Sequence, residues 1–335
     1  MSNNLFFFPN YSGGNPYQKL LYKPLVLEGW QVAPSSISNL LQIKSIDFSK
    51  TIFHMHWLNA IYSECNDNDE AWDKIHIFIN QITKFQKLGG KLIWTIHNHI
   101  PHENRFPEQD LRLRYFLAEI SDRIHLHCGS HYDELHYLRL NPSKIQIHRH
   151  GNYINYYGKF GIEERINNFN QKKPRALFLG MIRGYKNING LTSIASDLAD
   201  QGIQVTIAGK CEDLKTEEKL GQLSTQKGVT TILRRLTEHE VHQLCTNNEI
   251  GIISYEKILT SGTIKLYLSY AMHIIAPEHK TIQIENRLNT FSMYDNSKPN
   301  APNLSNLSED EYKRSFISSL FLAQEARWAS SLFEF

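Results

Sequence analysis

The chain has 335 residues, with 36 Lys and Arg against 34 Asp and Glu, a formal charge of +2 and a hydrophobic fraction of 41%. That length holds two ordinary domains with sizeable apolar cores and excludes disordered and fibrous classes. The charge balance holds in both halves and argues against a nucleic-acid partner, because dedicated nucleic-acid binders carry a clustered basic excess. Four scattered cysteines, Cys65, Cys128, Cys211 and Cys245, form no C-x-x-C pair and read as buried free thiols of a reducing compartment. The opening MSNNLFFFPNYSGG has too short an apolar run for a signal peptide and no basic start. No stretch approaches the roughly twenty apolar residues that cross a bilayer, so the expectation is a cytoplasmic protein with at most peripheral contact to the inner membrane face.

In chain order, short apolar runs alternate with helical periodicity, the pattern of a parallel sheet covered by helices. Leu5 to Phe8 reads as the first strand. A turn over 11–16 then leads into a helix through Tyr17, Leu20, Leu21 and Leu25. The next clear strand is Thr51 to His54. A helix from about Asp69 carries Trp72, Ile75, Ile79, Ile82 and Phe85 on one face and stops at Gly89-Gly90. The strand KLIWTIH follows, then a helix opened by Pro107 with Leu111, Phe116 and Ile120, then the strand RIHLHC. Ser130 and Asp133 resemble a capping box for a short helix through Leu135 and Leu138, and the strand KIQIHRH closes the first half.

Residues 155–173 turn polar and read as an interdomain linker. A second alternation begins with the strand Arg175 to Leu179 and a glycine turn at Gly180. There follow a helix through Leu191, Ile194 and Leu198, the strand IQVTIAG, a helix near Glu217 and the strand VTTILRR. Thr237 and Glu240 form a T-x-x-E capping box. The strand EIGIISY, a helix from about Ser261 and the strand MHIIAP complete the unit. A last amphipathic helix over about 309–333 carries Tyr312, Phe316, Leu320 and Leu322. The expected organisation is an N-terminal Rossmann-like domain over 1–160, a C-terminal one over 174–305, and a helix over 306–335 packing back across them. Two doubly wound α/β units suit an enzyme with a cleft.

Twelve of the sixteen histidines lie between His54 and His150, eight of them as His-x-His pairs at strand ends: His54/His56, His97/His99, His125/His127 and His148/His150. Alternate residues of a strand share a face, so each pair could present two imidazoles to one side. The pattern admits a metal site or a cleft for polar, oxygen-rich or phosphorylated substrates. A metal hydrolase would also need a carboxylate ligand and, ordinarily, an eight-stranded barrel, which the linker and second alternation oppose. For His54, His56, His125, His127 and His148 a hydrogen-bonded structural role competes with a substrate role. Trp57 and Trp94 read as packing residues, with a sugar-stacking platform as the alternative.

Two segments of the second half can hold anions. In FLGMIRGYKN, Gly180 and Gly184 flank a strand end that carries Arg183 and Lys186, a set suited to a diphosphate; the competing reading is a glycine turn with two solvated cations. In SYEKILTSG, Thr260, Ser261 and Gly262 stand where a helix begins, with Ser261 as a plain N-cap as the alternative.

The order strand-GMIRGYKN-helix, strand-IAGK, strand-LRRL with a capped helix, then strand-SYEKILTSG-helix-MHIIAP resembles the donor-binding domain of GT-B glycosyltransferases. FPNYSGGNPY is similar to the glycine loop after that fold's first strand, WTIHNHIPHE to its central catalytic loop, and HRHGNY to its histidine-glycine segment. The likeness spans nearly the whole chain and is nearest to bacterial enzymes that assemble exopolysaccharide, capsule or O-antigen units. It implies transfer of a hexose from a UDP- or GDP-linked sugar to a saccharide acceptor, lipid-linked at the inner membrane face, with no cofactor and no metal.

Residue by residue, the resemblance assigns Arg183 and Lys186 to the donor diphosphate, to which the helix start at Thr260, Ser261 and Gly262 is added by its hydroxyls and free amides. Lys210, Arg234, Arg235 and Glu256 fall to the nucleoside, and Gly13, Gly14, Asn15, His150 and Asn152 to the acceptor side. His97 takes the position that contacts the transferred sugar, and His99, His102 and Glu103 are further acid/base or acceptor candidates. Many retaining members have two glutamates seven residues apart around the last glycine loop; Leu259 and Tyr267 stand there instead, with Glu256 further upstream. That leaves the ribose contact and the stereochemical class open. A non-catalytic sugar- or nucleotide-binding module is the alternative outside the enzyme classes.

Overall fold

The structure, a computed structural model, describes residues 3–99, 105–169, 174–255, 258–286, 288–304, 307–326 and 331–335. The chain folds as two compact units, Met1–Gly151 with Gln324–Phe335, and Asn152–Ala323.

The first unit is built on a six-stranded parallel sheet in the order β2-β1-β3-β4-β5-β6. Its strands are β1 (Asn4–Phe8), β2 (Gln31–Pro34), β3 (Thr51–Met55), β4 (Lys91–Thr95), β5 (Arg123–Leu126) and β6 (Ile145–Ile147). Helices α1 (Tyr17–Leu27), α2 (Ile37–Leu40), α3 (Asn68–Lys87), α4 (Pro107–Ile120) and α5 (Ser130–Glu134) connect them. The chain runs from β1 outward to β2 and then returns to place β3 on the other side of β1, so the order reverses between β1 and β3. In open parallel sheets such a reversal opens a crevice at the carboxyl ends of the strands. Every residue of β3 is buried, as expected for a central strand covered on both faces.

α3 shows why these helices form where they do. Asp67 caps its first turn by accepting from the Glu70 amide at 2.9 Å, and Lys84 and Lys87 close its last turn. Its buried stripe is Ala71, Ile75, Phe78, Ile82 and Phe85, each large apolar member contributing about 1.5–3 kcal/mol of burial. The stripe differs from expectation by Ala71 in place of Trp72 and Phe78 in place of Ile79, both expected residues being half-buried. In α4 the difference is larger. Leu111 is 40% exposed, while Gln109, Asp110, Leu113, Arg114 and Leu117 are buried, because a hydrogen-bonded ion pair occupies the inner face. The expected Ser130 cap is not formed: Gly129 holds the N-cap position of α5 and the Ser130 hydroxyl donates to Cys128 Sγ at 3.3 Å.

The second unit carries another six-stranded parallel sheet, β12-β11-β10-β7-β8-β9. It comprises α6 (Ile162–Phe169), β7 (Arg175–Leu179), α7 (Ile188–Asp200), β8 (Gln204–Ala208), α8 (Leu214–Leu223), β9 (Val229–Ile232), α9 (Glu238–Asn247) and β10 (Ile250–Ile252). α10 (Gly262–Ser269), β11 (His273–Pro277), α11 (Lys280–Glu285), β12 (Phe291–Tyr294) and α12 (Glu309–Ala326) follow. Its order reverses between β7 and β10. A core of Phe178, Leu191, Ile194, Leu198, Val205, Ile207, Ile252 and Ile275 sits against the sheet. The Thr237–Glu240 capping box is formed as expected. β2, α2, α11 and β12 were not foreseen; the first and last of these strands are edge strands with little apolar alternation.

Two further expectations are corrected. The segment 155–173, expected as a linker, contains α6, from which the fully buried Arg165 donates to the carbonyls of Cys245 (2.8 Å), Thr246 (3.2 Å) and Tyr270 (2.9 Å) and meets Glu249 at 3.4 Å. Its arginine serves internal carbonyls, while Lys159, Glu163 and Asn167 face solvent. α12 turns Tyr312, Ser315, Ser318 and Ser319 inward and leaves Leu320 49% exposed; the Ser319 carbonyl accepts from Asn152 at 2.6 Å. The Leu322 side chain lies outside the described residues. Cys65, Cys128 and Cys245 are buried free thiols, whereas Cys211 is half-buried. Among the described residues no helix is long and apolar enough to cross a membrane.

Arg165→Ala strands three buried carbonyls and the Glu249 carboxylate, so urea unfolding should show the second unit less stable by about 3–5 kcal/mol. An unchanged midpoint would contradict this account of α6.

Candidate functional site

In the first unit the carboxyl ends of β3, β4 and β5 carry alternating polar residues on one face: His54 and His56, Thr95 and His97, His125 and His127. They form a continuous hydrogen-bonded string. His97 Nε2 lies 3.0 Å from His56 Nδ1, and His56 Nε2 lies 2.6 Å from the Tyr22 hydroxyl. That hydroxyl is 2.9 Å from His54 Nδ1, and His54 Nε2 is 2.7 Å from the Thr95 hydroxyl. Thr95 reaches His125 Nδ1 at 3.0 Å, and His125 Nε2 donates to the His148 carbonyl at 2.9 Å. The same carbonyl accepts from His127 Nδ1 at 3.2 Å.

α1 supplies the other wall. Tyr17 packs edge-on against His97 and His127 at ring distances of 5.1 and 5.4 Å and lies 4.8 Å from His150. Trp57 stacks on His97 at 4.2 Å with 13° between the planes. A small cavity lined by Trp57, Asn59, His97, Asn98 and Arg114 adjoins the string. The loop after β4 is held by Arg114, which donates to the Asn98 carbonyl at 3.0 Å and pairs with Asp110 at 2.5 Å; Tyr62 donates to the other Asp110 oxygen.

Burial governs the electrostatics. It holds His54, His56, His97 and His127 well below the ordinary imidazole range and pushes His125 down to about 3, and neighbouring histidines add to the depression of each. At neutral pH the string is therefore uncharged. It can offer directional hydrogen bonds to neutral hydroxyls, but it has no imidazolium with which to attract phosphate.

In the second unit the candidate anion site lies at the carboxyl ends of β7 and β10, where the order reverses. Lys186 is 5% exposed; its ammonium lies 4.9 Å from the Tyr255 ring centre and 5.4 Å from that of Phe178. Its carbonyl accepts from the Ser254 hydroxyl, which ties the two loops. Among the described residues no carboxylate pairs with this ammonium. Thr263, in the first turn of α10, accepts from the Tyr255 hydroxyl at 3.2 Å. Gly209, at φ +146°, lies where a side chain would collide with the Gly180 carbonyl, so glycine lets the loops after β7 and β8 meet.

The structure sorts the expected residues. His97 belongs to the string, and His150 joins the Tyr17 wall with Nδ1 donating to the Gly151 carbonyl at 2.8 Å. His99 does not belong to it. β4 ends at Thr95, and His99, four residues on, meets Glu134 at 2.7 Å. Thr95 takes the strand position that the His97/His99 pairing had implied for a second imidazole. Gly13, Gly14 and Asn15 form the turn after β1, with the Gly14 and Asn15 amides donating to the Tyr11 carbonyl. Buried Gln18 braces that loop by accepting from the Tyr11 amide and donating to the Pro9 carbonyl. Asn152 sits in the second unit against Ser319.

Lys186 and the start of α10 come together, and Ser261 is an N-cap that accepts from the Ile264 amide at 3.3 Å. Thr260 and Gly262 are half-buried beside it. Arg183 forks onto Glu212 at 3.0 and 3.3 Å, and Arg234 onto Glu240 at 2.5 and 3.2 Å, so each already has an ionic partner. Lys210 and Arg235 are exposed. His102, Glu103 and Glu256 lie outside the described residues. Sequence reading missed Tyr17, Tyr22, Thr95, Asp110, Arg114 and Thr263. For Thr95 the sequence shows only that T-I-H repeats the polar-x-His spacing of H-M-H and H-L-H, which does not reveal that its hydroxyl is flanked by two imidazoles.

Among the described residues no group of three His, Cys, Asp or Glu is arranged to hold a metal ion, and most imidazole nitrogens of the string are engaged with one another, with hydroxyls or with the His148 carbonyl.

The depressed imidazoles make stability depend on pH. Below about pH 6.5 the unfolded chain binds protons that folded His54, His56, His97, His125 and His127 refuse, so stability falls with pH. Each contributes up to about 1.4 kcal/mol per pH unit. The melting temperature of the first unit should therefore drop steeply between pH 7 and pH 5. A flat profile over that range would contradict neutral burial.

No family model matches the chain. Over 203 residues it is 22% identical to the GDP-mannose:glycolipid 4-beta-D-mannosyltransferase of Xanthomonas campestris pv. campestris, a match covering 58% of this chain and 52% of the relative. The chain thus spans about half the length of the curated relatives it matches. Among solved structures it resembles HepE of Anabaena in complex with UDP and glucose, with a TM-score of 0.67 at 9% identity over 100% of both chains. Sucrose-phosphate synthase of Thermosynechococcus elongatus gives a TM-score of 0.65 at 11% identity, covering 99% of this chain and 95% of that one. The UDP-forming trehalose-phosphate synthase of Burkholderia xenovorans gives 0.65 at 9% identity, over 88% and 74%. With two parallel six-stranded sheets clothed by helices and these likenesses over nearly its whole length, the chain has the GT-B glycosyltransferase fold.

Proposed function

We propose that the chain is a glycosyltransferase that moves a hexose from a nucleotide sugar, UDP- or GDP-linked, to a saccharide acceptor. The observation that carries this reading is Lys186, a buried ammonium with no described carboxylate beside it, at the reversal point of the second sheet. A departing nucleoside diphosphate gains negative charge. A fixed cation and the free amides at the start of α10 stabilise that charge without reorganising. Arg183 would exchange its Glu212 partner for the diphosphate, and Lys210, Arg235 and Glu256 fall to the nucleoside.

The first unit supplies the acceptor side. Neutral imidazoles beside a tryptophan face suit a sugar, whose hydroxyls need directional partners and whose ring has an apolar face. His97 is the residue proposed to touch the reacting saccharide. The name of the Xanthomonas relative, a glycolipid mannosyltransferase, supports a lipid-linked acceptor, and the UDP and glucose bound to HepE support a nucleotide-sugar donor. A metal-dependent hydrolase gains no support from a string whose nitrogens are mostly engaged with one another, with hydroxyls and with a carbonyl, and in which no described His, Cys, Asp or Glu group is arranged to hold a metal. A binding module without catalysis differs from the proposal in one observable, turnover.

Thermal-shift titration with UDP, GDP and their sugars is the first test; no stabilisation by any of them at millimolar concentration would sink the reading. Lys186→Ala should weaken nucleoside-diphosphate binding by about 10- to 100-fold in calorimetry, the worth of one hydrogen bond to a charged group. His97→Ala should lower kcat by about 100-fold or more while leaving nucleotide affinity within a factor of a few. Turnover should persist in chelator, since Lys186 and the amides take the place of a bound cation in this scheme.

A further inference from the structure

We infer that Tyr22, His54, His56, Thr95 and His125 are positioning residues. They form a one-directional hydrogen-bond chain anchored on the His148 carbonyl, which fixes His97 with its hydrogen on Nε2 and presents the Nδ1 lone pair to a saccharide hydroxyl.

The direction follows from the anchor. A carbonyl oxygen only accepts, so His125 carries its hydrogen on Nε2, and a neutral imidazole then has a bare Nδ1. Burial holds His125 neutral. The bare Nδ1 makes Thr95 the donor at 3.0 Å, and the Thr95 oxygen in turn accepts from His54 Nε2 at 2.7 Å. His54, neutral by the same burial, has a bare Nδ1 that takes the Tyr22 hydroxyl hydrogen at 2.9 Å. A phenol has one hydrogen, so the 2.6 Å contact to His56 requires His56 Nε2 to donate. His56 Nδ1 is then bare and accepts from His97 Nε2 at 3.0 Å.

Every link has one allowed sense. Reversing any of them puts two hydrogens or two lone pairs face to face, or requires a cation in the interior. The other end is open: among the described residues nothing hydrogen-bonds to His97 Nδ1. The stacked Trp57 ring and the string itself stop the imidazole from flipping.

The tautomer is thus set about six groups away, by a backbone carbonyl on the loop after β6. The hydrogen-bonding of one ring nitrogen decides what the other can do. The catalytic consequence rests on the transferase reading given above, whereas the tautomer itself does not.

Imidazole ¹⁵N spectra of the labelled full chain read the tautomer directly. In the wild type, His97 should show a protonated Nε2 and an unprotonated Nδ1. Thr95→Val removes the hydroxyl that links His54 to His125. It should leave His97 exchanging between tautomers and lower kcat by about 10- to 100-fold, with donor KM and nucleoside-diphosphate affinity unchanged. Thr95→Ser, which restores the hydroxyl, should restore both the spectrum and kcat. A wild-type His97 with its hydrogen on Nδ1 overturns the inference, as does a Thr95→Val protein whose His97 spectrum and kcat match wild type. Should the valine variant fail to fold, the wild-type spectrum still decides. A protein that shows the stated spectrum but transfers no sugar to any acceptor refutes the transferase reading and leaves the chain of hydrogen bonds standing.

Discussion

Neighbouring strands of a parallel sheet lie about 4.8 Å apart and turn alternate side chains to the same face. The first unit depends on that constraint. With Met55 opposite Trp94 and Thr95 opposite His125, polar residues from three adjacent strands and the turns just beyond them arrive at hydrogen-bonding distance, and Tyr22 of α1 completes the string. A shift of one residue in any strand would send its imidazoles to the other face and break the string. The geometry of the string and the sheet register are, in this unit, bound together.

The two units answer the same topology with opposite electrostatics. Each sheet reverses its strand order once, and each reversal gathers functional groups at the carboxyl ends. In the first unit burial strips the imidazoles of charge, leaving directed donors and acceptors. In the second, a buried ammonium keeps company with two aromatic rings and the start of a helix. One environment is suited to hydroxyl groups and the other to an oxyanion, and that contrast is what a sugar transfer from a diphosphate requires of its two substrates.

The alternation of elements and the strand-end histidines were legible in the sequence because burial on both faces writes strands as continuous apolar runs and glycine marks their ends. Lys186 was legible for the same reason, standing in a glycine turn after a strand. Thr95 was not, because a threonine in a strand is ordinarily a β-former and its hydroxyl declares nothing until two imidazoles flank it. Asp110 and Arg114 broke the apolar pattern of α4, and pattern reading followed Leu111, Phe116 and Ile120 and passed over them, when their mutual bond and the Tyr62 hydroxyl keep them inside. Arg165 misled in the same way: a charged residue in a polar stretch looks like a linker until the carbonyls it serves are seen. Edge strands β2 and β12 lacked the apolar runs that revealed their neighbours.

The segment 331–335 belongs to the first unit. Leu332 and Phe333 are buried with Leu5, Phe7, Tyr22, Leu25, Ile52 and Ile93, and Phe333 packs within 6.0 Å of Tyr22 and 5.7 Å of His54. Arg123, at the start of β5, clasps the Ser331, Leu332 and Glu334 carbonyls and stacks on Phe335. A ribosome making this chain delivers all six strands of the first sheet and then all of residues 152–323 before the segment that seals the first core. At about 5–20 residues per second, that interval is on the order of ten to thirty seconds. Domains usually mature in the order they are synthesised, but here the second finishes first. Until residues 331–335 are made, the nascent first unit waits with an incomplete floor beneath Tyr22 and His54, and its histidine string has water where Phe333 will pack.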